Sequence, residues 1–146
     1  MKILTRVLRE GYGPGAWHGA DMKAAVADVG AGDAFRRPAA GRHNIAELAL
    51  HHAYYVREVR SRLTGVAQEP FVVDGEDFFT LDDATTLPWD KITAALADEQ
   101  DRLVAVVDER NFAGKSDDEA LDLVLGITCH AVYHAGQIQV IKKLIA

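Results

Sequence analysis

The chain has 146 residues, with 22 acidic against 16 basic side chains, a net charge of −6 and 49% apolar residues. That length and apolar share suit a single domain over residues 1–146 with one continuous core, and an acidic balance without a basic stripe excludes duplex DNA or RNA as a main partner, because phosphate contact needs clustered Lys and Arg. No segment approaches the roughly 20 consecutive apolar residues that span a bilayer, charges at Lys2, Arg6, Arg9 and Glu10 interrupt any leader-like run, and the single cysteine, Cys129, fits a reducing setting, so a soluble cytoplasmic protein with no membrane partner is expected.

Lys2 to Gly11 carries Ile3, Leu4, Val7 and Leu8 at the spacing of a short amphipathic helix, which Gly11-Tyr12-Gly13-Pro14-Gly15 ends. Asp21 is placed to cap a second short helix through Met22, Ala25, Val26 and Val29, with Gly30, Gly32 and Pro38 bracketing its exit. The first long helix opens at Asn44, where Glu47 completes a capping-box-like pair, and runs through Leu63 to Gly65. Its apolar stripe is Ile45, Leu48, Ala49, Tyr55, Val56, Val59 and Leu63, with Glu47, Arg57 and Glu58 on the opposite, more solvated side.

From Val66 to Leu87 the chain is acidic and lacks Lys and Arg. Asp74-Gly75 between Phe71-Val72-Val73 and Phe78-Phe79 is compatible with a hairpin, and equally with an irregular loop anchored by its aromatic residues; either version could lie over a site. Pro88 at a first helical position opens another long helix, with Trp89, Ile92, Leu96, Leu103 and Val106 at helical spacing. Ser116-Asp117-Asp118-Glu119 is a capping box for a last helix from about Asp117 to Ala146. The reading is an all-α bundle: three long helices and a loop-rich, partly helical N-terminal arm.

His130 and His134 lie one turn apart on the last helix, on the face that carries Leu123, Ile127, Ile138 and Ile141. Two polar rings turned into an apolar stripe need partners, since a buried unpaired imidazole nitrogen costs roughly 1–3 kcal/mol. A shared metal ion would supply one; backbone carbonyls, a tyrosine or buried water would supply others. A catalytic centre of the zinc type uses three protein ligands and keeps one position open. Candidates for the third are His18, His43, His51 and His52, with Glu47, Glu58 and Glu99 as carboxylates. Helical periodicity sets His52 at the centre of its stripe and His51 towards the edge, and does not choose between them. His-Glu-x-x-His and Cys-x-x-Cys are absent, which excludes the corresponding protease and thiolate sites.

Ile45-Ala46-Glu47-Leu48-Ala49-Leu50-His51, followed far along the chain by His130-Ala131-Val132-Tyr133-His134-Ala135-Gly136-Gln137-Ile138, resembles the DinB/YfiT-like family of metalloenzymes. Ala16-Trp17-His18-Gly19 and Pro38 ahead of His43-Asn44-Ile45 are similar to one subgroup's N-terminal region. The resemblance implies a four-helix bundle holding one divalent ion, zinc or nickel, on three histidines, which here fall on His51, His130 and His134. It also implies a small-molecule substrate, hydrolysis or transfer to a low-molecular-weight thiol such as bacillithiol or mycothiol, and a homodimer. On this reading His134→Ala should abolish metal uptake and His52→Ala should leave it intact. The competing readings are a bundle whose ion is structural or sensory, and a helical interaction protein with satisfied core histidines. Gln137 could orient a ligand imidazole, Tyr55 could pack or line a pocket, Trp17 and Trp89 are expected as core or interface anchors, and Cys129 as a small core or interface residue.

Overall fold

A computed structural model describes residues 2–146, and among these there is no strand. Six helices follow one another: α1 (Ile3–Gly11), α2 (Met22–Ala27), α3 (Ala31–Ala34), α4 (Ile45–Thr64), α5 (Trp89–Asp108) and α6 (Asp117–Ile145). α1 packs on α5 and α6, and α4 packs on the same two from the other side, so α1, α5, α4 and α6 form a four-helix ring. The N-terminal helix is therefore a full member of the bundle rather than part of an arm. α2 lies on α6, and α3 touches α4 and α5. No described helix is long and apolar enough to cross a membrane.

The helix ends follow from local chemistry. Asn44 accepts from the Glu47 amide at 2.8 Å while Glu47 reaches back to the Asn44 amide, and Ser116 and Glu119 repeat the arrangement at the start of α6. α4 stops at Gly65, which adopts the left-handed backbone of a C-cap (φ 68°). Asp21 caps α2 through the Ala24 amide. Pro88 sits one position earlier than expected, as the residue flanking α5.

Gly11 has a second role besides ending α1. A Cβ there would lie 2.8 Å from the Thr128 carbonyl oxygen and 2.9 Å from the Ala131 Cβ, so the missing side chain is what lets α1 approach α6. The segment between α4 and α5 is irregular, which excludes the hairpin. It is tied down by Asn44, whose Nδ2 donates to the Leu81 carbonyl, and by Glu47, which accepts from the Leu81 amide at 2.8 Å. Trp89 is buried and donates to the Val29 carbonyl, linking α5 to the N-terminal region, whereas Trp17 is 93% exposed and belongs to no core. Cys129 is likewise exposed.

The interior divides into two apolar clusters. One gathers Ile45, Leu48, Ala53, Ile92, Ala135 and Ile138 with α2; the other gathers Leu8, Val56, Leu63, Leu103, Val124 and Ile127. On α4 the boundary falls between Ala53 and Val56, and on α6 between Ile127 and Ala131. His130 falls in that interval, and His51, His52 and His134 lie beside it among the residues of the first cluster.

Candidate metal centre

α4 and α6 pack side by side, and Ala49 and Ala53 of the one and Ala131 and Ala135 of the other are all buried in one cluster. Their close approach brings His51 on α4 against His130 and His134 on α6. The Nε2 of His130 lies 3.2 Å from the Nε2 of His51 and 3.2 Å from the Nε2 of His134, and a ligand atom from each of the three lies within 4.8 Å of the others. His51 and His134 are each 5% exposed.

The opposite ring nitrogens are all engaged. His51 Nδ1 donates to the Asp77 carbonyl at 2.9 Å, and His134 Nδ1 donates to Gln137 Oε1 at 2.6 Å. Both acceptors lack a hydrogen, so Nδ1 carries the ring proton and the neutral imidazole has a bare lone pair on Nε2. His130 Nδ1 is 2.8 Å from the Nδ1 of His52; when His52 accepts there, His130 too presents a bare Nε2. All three rings are held neutral. Burial lowers the pKa of His51 and of His134, and burial with the adjacent rings takes that of His130 to about 3.

Lone pairs held 3.2 Å apart repel unless a proton or a cation lies between them. Around a tetrahedral ion, nitrogens at about 2.0–2.1 Å from the metal are about 3.4 Å from one another. The donor set and its spacing thus fit a divalent ion, and the described residues add no fourth ligand to the group. The other candidates are elsewhere. Glu99 is buried against Arg60 at 2.7 Å, Glu58 pairs with Arg57, and His18 is exposed beside the Glu10 carbonyl. His52 is fully inside, as its place on the stripe implies, but its ring backs His130 from outside the cluster.

The acidic segment covers the site. Phe78 stacks on His51 with centroids 3.7 Å apart and planes 4° from parallel, and His43 stacks on the other face of Phe78 at 4.1 Å. Tyr55 meets His51 edge-on and His130 at a tilt, and donates to Asp77 Oδ1, so it lines the site and anchors the segment over it. Glu47 is 2% exposed rather than solvated. Arg37 grips both its oxygens, at 2.8 and 2.7 Å, and His43 Nδ1 donates to it at 3.0 Å. Burial alone would raise its pKa; Arg37, the Leu81 amide and His43 outweigh that and hold it at about 2.

A family model described as the DinB superfamily matches residues 16–138. The chain belongs to the DinB superfamily. No curated protein and no solved structure matches it. The DinB match takes in α4, α5 and α6 as far as Ile138, and hence every histidine of the cluster, while α1 lies outside it although α1 completes the ring of four helices.

Phe78, Asp77, Arg37 and the role of His52 escaped sequence reasoning. Phe78 and Asp77 follow an Asp-Gly pair in a segment with no helical or alternating period to assign a facing, and Arg37 reaches Glu47 from a turn. The one available signal was the aromatic content of that segment.

Proposed function

We propose that this chain is a metal-dependent enzyme acting on a small molecule, by hydrolysis or by transfer to a low-molecular-weight thiol of the bacillithiol or mycothiol kind. His51, His130 and His134 would hold one divalent ion, zinc or nickel, through Nε2. The observation that carries this reading is the mutual approach of three Nε2 atoms, those of His51 and His134 bare, with each ring fixed from behind, by Asp77, Gln137 and His52. Bound there, such an ion supplies Lewis acidity, lowering the pKa of a coordinated water or thiol towards neutrality.

The chain's own groups prepare the rest. The Asp77 carbonyl, the Gln137 amide and His52 hold the three tautomers, the arrangement that keeps ligand rings oriented in metal sites. Phe78 and Tyr55 shield His51 from water. His43, with Nδ1 committed to Glu47, is held in place beside a cavity that it shares with Gln137. Three protein ligands without a fourth favour an enzyme over a structural or sensory ion, which is normally closed by four.

Cobalt substitution tests the open position. The cobalt-loaded chain, titrated with 2-mercaptoethanol, should develop a thiolate-to-metal charge-transfer band. A spectrum indifferent to thiol, azide and pH would mean a closed shell and would favour the structural reading.

A further inference from the structure

A cavity of about 690 Å³ adjoins the three-histidine cluster through Gln137, the hydrogen-bond partner of His134; none of the three histidines lines it. Its size falls within the range of small-molecule sites. One wall holds Gln137, whose Oε1 receives the His134 proton, and His43, which stacks through Phe78 onto His51. The remaining wall is mostly aliphatic: Pro38, Leu48, Val140, Ile141 and Leu144. Val140 and Leu144 are 57% and 65% exposed, so an apolar body resting on them would remove surface that water now covers.

The charge of the lining is one-sided. In a chain with six more acidic than basic residues, no carboxylate lines this cavity, and the groups there that can carry charge are Arg42 and His43. Arg42 has no carboxylate partner among the described residues; Arg6, Arg9 and Arg62 share that state but do not line this cavity. Its backbone is held in place: its amide donates to the Ala39 carbonyl, and its own carbonyl accepts from Arg37 at 2.8 Å. The guanidinium is therefore offered at the cavity by a fixed turn and left uncommitted. A single guanidinium, with no other Lys or Arg in the lining, matches a monoanion, and a carboxylate suits its two-pronged geometry.

We propose that this cavity binds the substrate of the three-histidine site, and that the substrate is a small carboxylic acid with an apolar body. The carboxylate pairs with Arg42, the body lies along Val140, Ile141 and Leu144, and the end near Gln137 is presented to the histidines. This rests on the enzymatic reading above and adds the class of molecule.

The test is an amide-resolved NMR titration of the full chain, metal-free and zinc-loaded, with octanoate, octanol and octyl phosphate. The metal-free arm prevents a carboxylate from registering simply by ligating zinc. Octanoate should shift Gly136, Gln137, Val140 and Leu144 saturably, and Arg42→Gln, an exposed change, should weaken it by roughly tenfold to a hundredfold, down to the affinity of octanol. Equal binding of octanoate and octanol, no binding of either, or an unaffected Arg42→Gln would overturn the proposal. Tighter binding of octyl phosphate would make this a phosphate site instead. Sedimentation as a dimer with these four residues protected would mean that a second copy covers the wall, and would overturn it as well. Octanoate discrimination in a chain that takes up no zinc would leave the carboxylate cavity standing and remove the metal reading; stoichiometric zinc without discrimination would do the reverse.

Discussion

His52 and His51 are neighbours on one helix, and both are buried, yet only His51 brings Nε2 into the cluster. A helical wheel reports how far a position is turned inward. It does not report which ring atom meets which partner. His52 occupies the stripe centre because its neutral ring, held so by burial and the adjacent histidines, backs His130 at 2.8 Å. His52→Ala is expected to leave metal uptake intact, and the contact with His130 adds an expected loss of affinity. Removing the partner of a ligand imidazole typically costs about 10–100-fold in metal affinity, so His52→Ala should still bind one zinc but at a dissociation constant raised by that factor. Competition against a chromophoric chelator measures it; an unchanged constant would mean that the His52 contact is incidental packing.

At the scale of elements, the three long helices were legible because each announces its ends. Asn44 with Glu47, Ser116 with Glu119, and Pro88 before Trp89 are local signals whose physics needs no tertiary context. α3 was not legible, since four residues around Gly32 carry no period. Nor was the rank of α1 as the fourth bundle helix, because its membership depends on what Gly11 permits against α6 rather than on its own pattern. Gly11→Ala should therefore destabilise the fold by about 1–3 kcal/mol, as overpacking against a backbone carbonyl forces α1 and α6 apart. Urea denaturation would show this as a lower midpoint at an unchanged slope; a neutral result would mean that the helices adjust freely there. That His130 and His134 share one inward face followed from their spacing, which left open what they bind, whereas His51 as the third histidine entered through family resemblance.

For the molecule as a whole, Glu47 joins parts that sequence separates. One carboxylate ends up accepting from the Asn44 amide at the start of α4, pairing with Arg37, receiving the Leu81 amide and orienting His43. Its folded pKa of about 2 lies below the ordinary 4.5. The stability that it contributes is thus fully present above pH 4.5 and disappears as the pH falls towards 2, amounting to something on the order of 3 kcal/mol. Stability measured by urea between pH 6 and pH 2 should fall more steeply in the native chain than in Glu47→Gln over the lower part of that range. Parallel curves would show that Glu47 titrates normally and that the Arg37 pair does not organise the covering segment. The acid limb also bears on function, because the same carboxylate fixes the wall of the cavity.

The whole account turns on whether three nitrogens from two helices take up a cation. Elemental analysis of protein purified without a polyhistidine tag, dialysed against zinc or nickel and then freed of loose metal, should find one ion per chain, and none in His134→Ala under the same treatment. A native chain that emerges without stoichiometric metal, or a His134→Ala chain that keeps it, would contradict the account.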